Sequence, residues 1–181
     1  KRITFNSGLQ KIEWDAFWNC SSLAELFIPA SVTEIARDAF NSCSGIERIV
    51  VEDGNEVFYS RNNCLIYDEN KLLLLACNDS VIPDDGSVQI IYEHAFSNCK
   101  KIESIVVPET VEILDVGAFF GCESLKEVSI GVSVKEIRSF AFGYCASLQV
   151  LKYNGSEENF GKITLQANWN AYAPEFLVTC A

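Results

Sequence analysis

Positive charge is scarce in this chain, histidine nearly absent, and no long apolar run occurs. Lys and Arg total 14 against 25 Asp and Glu, a net charge of −11. Such a chain repels the phosphate backbone that dominates nucleic-acid affinity, which excludes DNA and RNA as partners. The longest apolar run, Leu72 to Cys77, falls far short of the roughly 18 residues a spanning helix needs, so no membrane insertion is expected. With one histidine, no Cys-x-x-Cys pair and no Gly-rich phosphate loop, no metal site and no cofactor are expected. The chain begins at Lys1 without a basic, apolar leader, so any export signal is expected to have been removed or to lie outside it. What is present is apolar material: 49% hydrophobic and 12% aromatic residues over 181 positions, enough for one folded domain.

That material is periodic. Ala-Phe followed by Cys recurs at Ala16-Phe17 and Cys20, Ala39-Phe40 and Cys43, Ala95-Phe96 and Cys99, Ala118-Phe119 and Cys122, and Ala141-Phe142 and Cys145. An aliphatic residue stands five before each Phe (Ile12, Ile35, Ile91, Leu114, Ile137). An apolar triplet follows each Cys at fixed offsets: Leu23/Leu26/Ile28, Ile46/Ile49/Val51, Ile102/Ile105/Val107, Leu125/Val128/Ile130 and Leu148/Leu151/Tyr153. The triplet alternates at its end, which predicts a short strand, and the Ile12 to Cys20 spacing predicts a helical or 3-10 return. One such coil cannot bury its own apolar face. The coils are therefore expected to stack, with Phe17, Phe40, Phe96, Phe119 and Phe142 in one buried column and Cys20, Cys43, Cys99, Cys122 and Cys145 in another.

The gap of 56 residues between Phe40 and Phe96 leaves room for a divergent coil with about ten added residues. Within it, turns at Asn62-Asn63 and Asp68-Glu69-Asn70 flank Cys64 to Tyr67, and Leu72 to Leu75 follow, which predicts a hairpin. After Tyr153 the period stops, and the rest is expected to cap the open end of the stack. The boundaries are repeats at about 9–31, 32–54, 88–110, 111–133 and 134–154, an insertion at 55–87 and a cap at 155–181, all in a single solenoid of residues 1–181.

The run from Cys20 to Phe40 resembles the BspA-like leucine-rich repeat family of bacterial surface proteins, and so do the Asn55 to Leu75 insertion and the ending from Lys152 to Cys180. The resemblance implies an α/β repeat solenoid: a right-handed leucine-rich-repeat superhelix with a short-strand parallel sheet on its concave face. It also implies an extracellular or cell-surface location and a protein or glycan partner, such as host extracellular matrix or another cell surface. The chain departs from the pattern at Asn55 and Glu157, where a Val equivalent to Val32, Val111 and Val134 is missing.

Outward-facing strand positions form two candidate binding rows on the sheet, Phe27/Val50/Val106/Ser129/Lys152 and Glu25/Arg48/Ser104/Glu127/Val150. Apolar groups in an exposed row often mark a partner surface, although such residues also simply suit strands. Five of the eight cysteines share one repeat position, which fits small buried free thiols better than disulfides; Cys64 and Cys77 form the one pair worth testing for a bridge. His94 occupies a position that varies between repeats (Asp15, Asp38, Gly117, Phe140), which reads as solvent and not as a catalytic base. Asn19, Asn78 and Asn154 match the glycosylation acceptor pattern, which chance also produces. The expected function is a non-enzymatic interaction or adhesion module that binds through the concave sheet or the 55–78 insertion. The rivals are an inert spacer and, further off, a glycan-active enzyme with two carboxylates flanking a cleft.

Overall fold

The computed structural model describes residues 1 and 3–181. Each regular coil lays down one short and one longer strand. The first two coils contribute β1 (Lys11–Ile12), β2 (Glu25–Ile28), β3 (Glu34–Ile35) and β4 (Arg48–Val51). The insertion holds β5 (Phe58–Arg61), β6 (Cys64–Tyr67) and β7 (Leu72–Leu75). The regular pattern resumes with β8 (Ile90–Ile91), β9 (Ser104–Val107), β10 (Ile113–Leu114), β11 (Glu127–Ile130), β12 (Glu136–Ile137) and β13 (Val150–Tyr153). A single helical turn, α1 (Glu157–Phe160), precedes β14 (Thr164–Leu165) and β15 (Leu177–Cys180).

Equivalent strands pair in parallel and in register, as Ser104 beside Glu127 beside Val150, so the chain is a β-solenoid. Its main sheet comes in two pieces, β2–β4 and β9–β11–β13–β15. The short strands likewise form β1–β3 and β8–β10–β12–β14, and the second group continues through β7, β6 and β5. Both sheets therefore break between the second and fourth coils.

The core follows the alternation read from sequence: in β2, Leu26 and Ile28 are buried and their neighbours are not. Phe17 stacks on Phe40 at 5.3 Å, and Phe96, Phe119 and Phe142 form a second stack at 5.0 and 5.3 Å. The column is interrupted because Ala76 stands at the third coil's Phe position, its amide donating to Ala95 as that of Phe96 donates to Ala118. The core accordingly divides into two clusters at that level. Phe17 and Cys20, expected in buried columns, are half-buried because theirs is the first coil; Phe5 covers Phe17 edge-on at 5.7 Å.

The returns are not helical as expected. Each is a two-residue strand followed by turns, and α1 is the sole helix among the described residues. Left-handed residues four apart explain the difference: Asp15/Asn19, Asp38/Ser42, His94/Asn98, Gly117/Gly121, Phe140/Tyr144 and Asn168/Tyr172 all have φ between 54° and 70°. A helix cannot propagate through such residues. The last of these pairs belongs to the segment 155–181, which is built as a further coil, with β14 on β12 and β15 on β13.

The expected hairpin is present as β6 and β7, and β5 extends it to a three-stranded antiparallel unit. Asn62 and Asn63 are both left-handed, φ 48° and 64°, the geometry of a two-residue hairpin turn whose twist matches its strands.

Candidate binding surfaces

The break in the main sheet divides both candidate rows. Phe27 lies beside Val50, and Glu25 beside Arg48. Beyond the break Val106, Ser129 and Lys152 align, as do Ser104, Glu127 and Val150. Among the apolar members of the first row, exposure is greatest at the break: Val106 is 66% exposed, whereas Phe27 and Val50 are half-buried.

The two strands that flank the break end differently. The insertion closes β4 with side chains: Asn63 Oδ1 accepts the Ile49 amide at 2.8 Å and Ser60 Oγ the Val51 amide at 3.1 Å. Nothing comparable covers β9 among the described residues. Its Glu103 and Val107 carbonyls accept amides from the following coil, so the main chain of Ser104 and Val106 faces the opposite way. Val106 there lines a groove of about 460 Å³ together with Val81, Asp84, Glu109 and Asn154.

A second concavity opens on the return side of the same break. Leu73 lies opposite Ile91, and Ala76 takes the place equivalent to Phe96, so only Leu74 and Leu75 connect positions that Tyr92 to Ala95 span in the fourth coil. The two missing residues include the left-handed bulge. The returns of the second and fourth coils thus flank a cleft of about 260 Å³ with Leu74 and Leu75 in its lining and Phe58 and Tyr67 contributed by the insertion. Arg37 and Glu93 bridge it at 3.3 Å. Sequence reading missed this cleft, although its signal is visible: the aliphatic-to-Phe spacing of five shrinks to three between Leu73 and Ala76.

The charged residues mostly answer one another across coils. Lys11 pairs with Glu34 at 2.9 Å, Glu103 with Lys126 at 2.8 Å, Glu112 with Lys135 at 2.7 Å and Asp115 with Arg138 at 2.9 Å, each pair one repeat apart. Lys152 binds Glu127 at 2.7 Å within the candidate rows. Except for Asp115–Arg138, whose carboxylate is buried, these pairs are exposed and contribute about 0–1 kcal/mol each, so they fix register more than they stabilise.

All eight cysteines are free thiols, Cys64 and Cys77 included. The repeat cysteines fill space and also donate weak hydrogen bonds back to the preceding coil: Cys43 to the Phe17 carbonyl at 2.9 Å, Cys122 to Phe96 and Cys145 to Phe119, both at 3.2 Å. Burial pushes the Cys43 thiol up to about 11 and those of Cys64 and Cys145 to about 12. Because the folded values lie above the ordinary 9.0, the stability these neutral thiols contribute is intact below pH 9 and lost as pH rises toward 11–12. Denaturant titrations at pH 7, 9 and 10.5 are expected to give falling stability over the last interval. At pH 8, a thiol reagent is expected to label Cys20 and Cys180 rapidly in the folded chain and the other six only on unfolding; rapid labelling of Cys122 would contradict the packing.

His94 is half-buried, not free in solvent. Its ring lies so close over Gly117 that a Cβ there would come within 2.5 Å of it, and it meets Phe120 edge-on at 6.3 Å. Among the described residues, no group of three or more His, Cys, Asp or Glu is arranged to hold a metal, and no helix is long and apolar enough to cross a membrane.

The family model for the BspA type leucine rich repeat region matches the chain in six copies, over residues 1–70 and 76–172. The residues between the matches, 71–75, include all of β7, where the return is shortened. Among solved structures, the chain is similar to a leucine rich cell surface protein of Faecalibacterium prausnitzii at 23% identity and a TM-score of 0.40, covering 79% of this chain and 51% of that one. It is also similar to the pneumococcal vaccine antigen PcpA, at 18% identity and a TM-score of 0.45, covering 94% and 60%. The T. pallidum leucine rich repeat protein matches at 24% identity and a TM-score of 0.43, covering 95% and 67%. The chain thus spans about half to two thirds of the length of these proteins. No curated protein matches it.

Proposed function

The chain belongs to the BspA type leucine rich repeat family, and on that premise we propose that it is a non-enzymatic interaction module of a bacterial surface or secreted protein, binding a protein or glycan through its main-sheet face at the break. The observation that carries this reading is Val106. It is an apolar side chain 66% exposed on β9, a strand with no partner on that side among the described residues, and it lines the groove beside Val81 and Asn154. Exposed apolar surface next to unpaired strand edge is what association with a partner removes. The cross-coil ion pairs hold the surrounding surface in register without chemistry of their own.

The test is binding of the purified chain to an array of extracellular-matrix proteins and glycans, beside two variants, Val106→Ser and Phe27→Ser with Val50→Ser. Two variants are needed because the break separates these residues. Binding weakened about tenfold or more by Val106→Ser is the expected result. Binding untouched by both variants, or absent throughout the array, would overturn the assignment, and absence would favour a spacer that holds another part of a larger protein at a distance.

A further inference from the structure

The shortened third coil leaves the return side of the second coil without its neighbour's hydrogen bonds. In the other regular coils the carbonyls at two fixed positions accept amides from the next coil: Gln10 and Ile12, Gln89 and Ile91, Glu112 and Leu114, Lys135 and Ile137. The equivalents in the second coil, Thr33 and Ile35, accept none among the described residues. Phe17, Phe96, Phe119 and Phe142 each donate their amide to the next coil, and Phe40 does not among the described residues. Thr33, Ile35 and Phe40 all line the 260 Å³ cleft. Two acceptors and a donor on one unpaired edge are the pattern that an extended main chain complements.

The side chains add a charge preference. Glu34 is answered by Lys11 at 2.9 Å and Arg37 by Glu93 at 3.3 Å. Asp38, which follows Arg37 in the lining, has no ion pair among the described residues, and its Oδ1 is buried without a hydrogen-bond partner. Buried polar atoms in native proteins are rarely left so. Phe58, Tyr67 and Leu74 give the same cleft apolar and aromatic walls. A carboxylate with an unpartnered oxygen beside aromatic walls suits a cationic head on an apolar stem.

We propose that this cleft binds an extended polypeptide segment carrying a lysine or arginine. The segment's amides take the Thr33 and Ile35 carbonyls and one of its carbonyls takes the Phe40 amide. Its basic side chain lays its stem along Tyr67 and Leu74 and donates to the Asp38 carboxylate. The net charge of −11 favours approach of a basic segment over an acidic one. This site lies on the return side and stands whether or not the main-sheet face binds a partner.

The probe is the blocked tripeptide acetyl-Val-Lys-Val-amide, titrated into the isotopically labelled chain by NMR, with the norleucine analogue as its neutral counterpart. Saturable shifts confined to residues around Thr33–Asn41 and Tyr92–His94 are expected. The norleucine peptide is expected to bind about tenfold more weakly, the worth of one charge-assisted hydrogen bond. Asp38→Asn is expected to cause the same loss while folding normally, because Asn tolerates the left-handed backbone at φ 61°. Equal binding of the two peptides, unchanged binding by D38N, or shifts centred on Val106 would overturn the proposal. So would shifts at the cleft that arise on concentrating the chain alone, which would make a second copy the occupant.

Discussion

Phe119→Ala is expected to destabilise the chain by about 3–5 kcal/mol, the range for truncating a fully buried aromatic. Phe119 has no exposed surface and is stacked on both faces, against Phe96 at 5.0 Å and Phe142 at 5.3 Å, within 24° and 2° of parallel. The coils above and below are held by main-chain ladders, so they cannot collapse into the space the ring leaves. Phe17→Ala removes the same ring from a half-buried position stacked on one partner and should lose clearly less. Urea unfolding followed by far-UV circular dichroism separates the two. A loss below about 1 kcal/mol for Phe119→Ala would mean that the column does not carry the core.

Removing residues 155–181 is expected to have a still larger effect: loss of the soluble, cooperatively folded monomer. This segment supplies β14 and β15, which pair with β12 and β13. It also supplies the rings that pack on the preceding coil, Trp169 edge-on to Phe142 at 6.1 Å and Phe160 on Tyr153 at 5.6 Å. Without it, β13 becomes a bare edge beside newly exposed Phe142, Leu151 and Tyr153, which are the conditions for edge-to-edge association. Size-exclusion chromatography of residues 1–154 checks this. A monomer that unfolds in a single sharp transition would show that the last coil is dispensable.

The regular coils were legible in the sequence because burial there is enforced by period. Seven positions per repeat keep their class, and the structure buries Ile28, Phe96, Cys122 and Leu151 as that pattern requires. The β6–β7 hairpin was legible because Asp68-Glu69-Asn70 is turn chemistry between two apolar runs. The conformation of the returns was not, since Ala-Phe spacing fits a helical turn and a chain of tight turns equally well. The deciding residues are chemically diverse left-handed positions such as His94, Phe140 and Tyr144, which side-chain type does not announce. The continuous outward row failed for another reason. Phe27, Val50 and Val106 are equivalent by repeat position, but the third coil contributes no strand between Val50 and Val106. The cleft at Asp38 arises from residues that are missing, and a deficit of two between Leu73 and Ala76 is hidden inside an insertion that is longer overall.

If the interrupted third coil is where this scaffold presents its binding groups, repairing that coil removes them. Residues 55–87 would be replaced by a copy of the regular coil 111–133, and the repaired chain compared with the original for unfolding midpoint and for binding of the acetyl-Val-Lys-Val-amide probe and of array partners. A midpoint at least as high is expected, since both sheets become continuous, together with loss of binding at the Asp38 cleft and at Val106. A stable repaired chain that binds as the original does would show that the binding groups lie elsewhere.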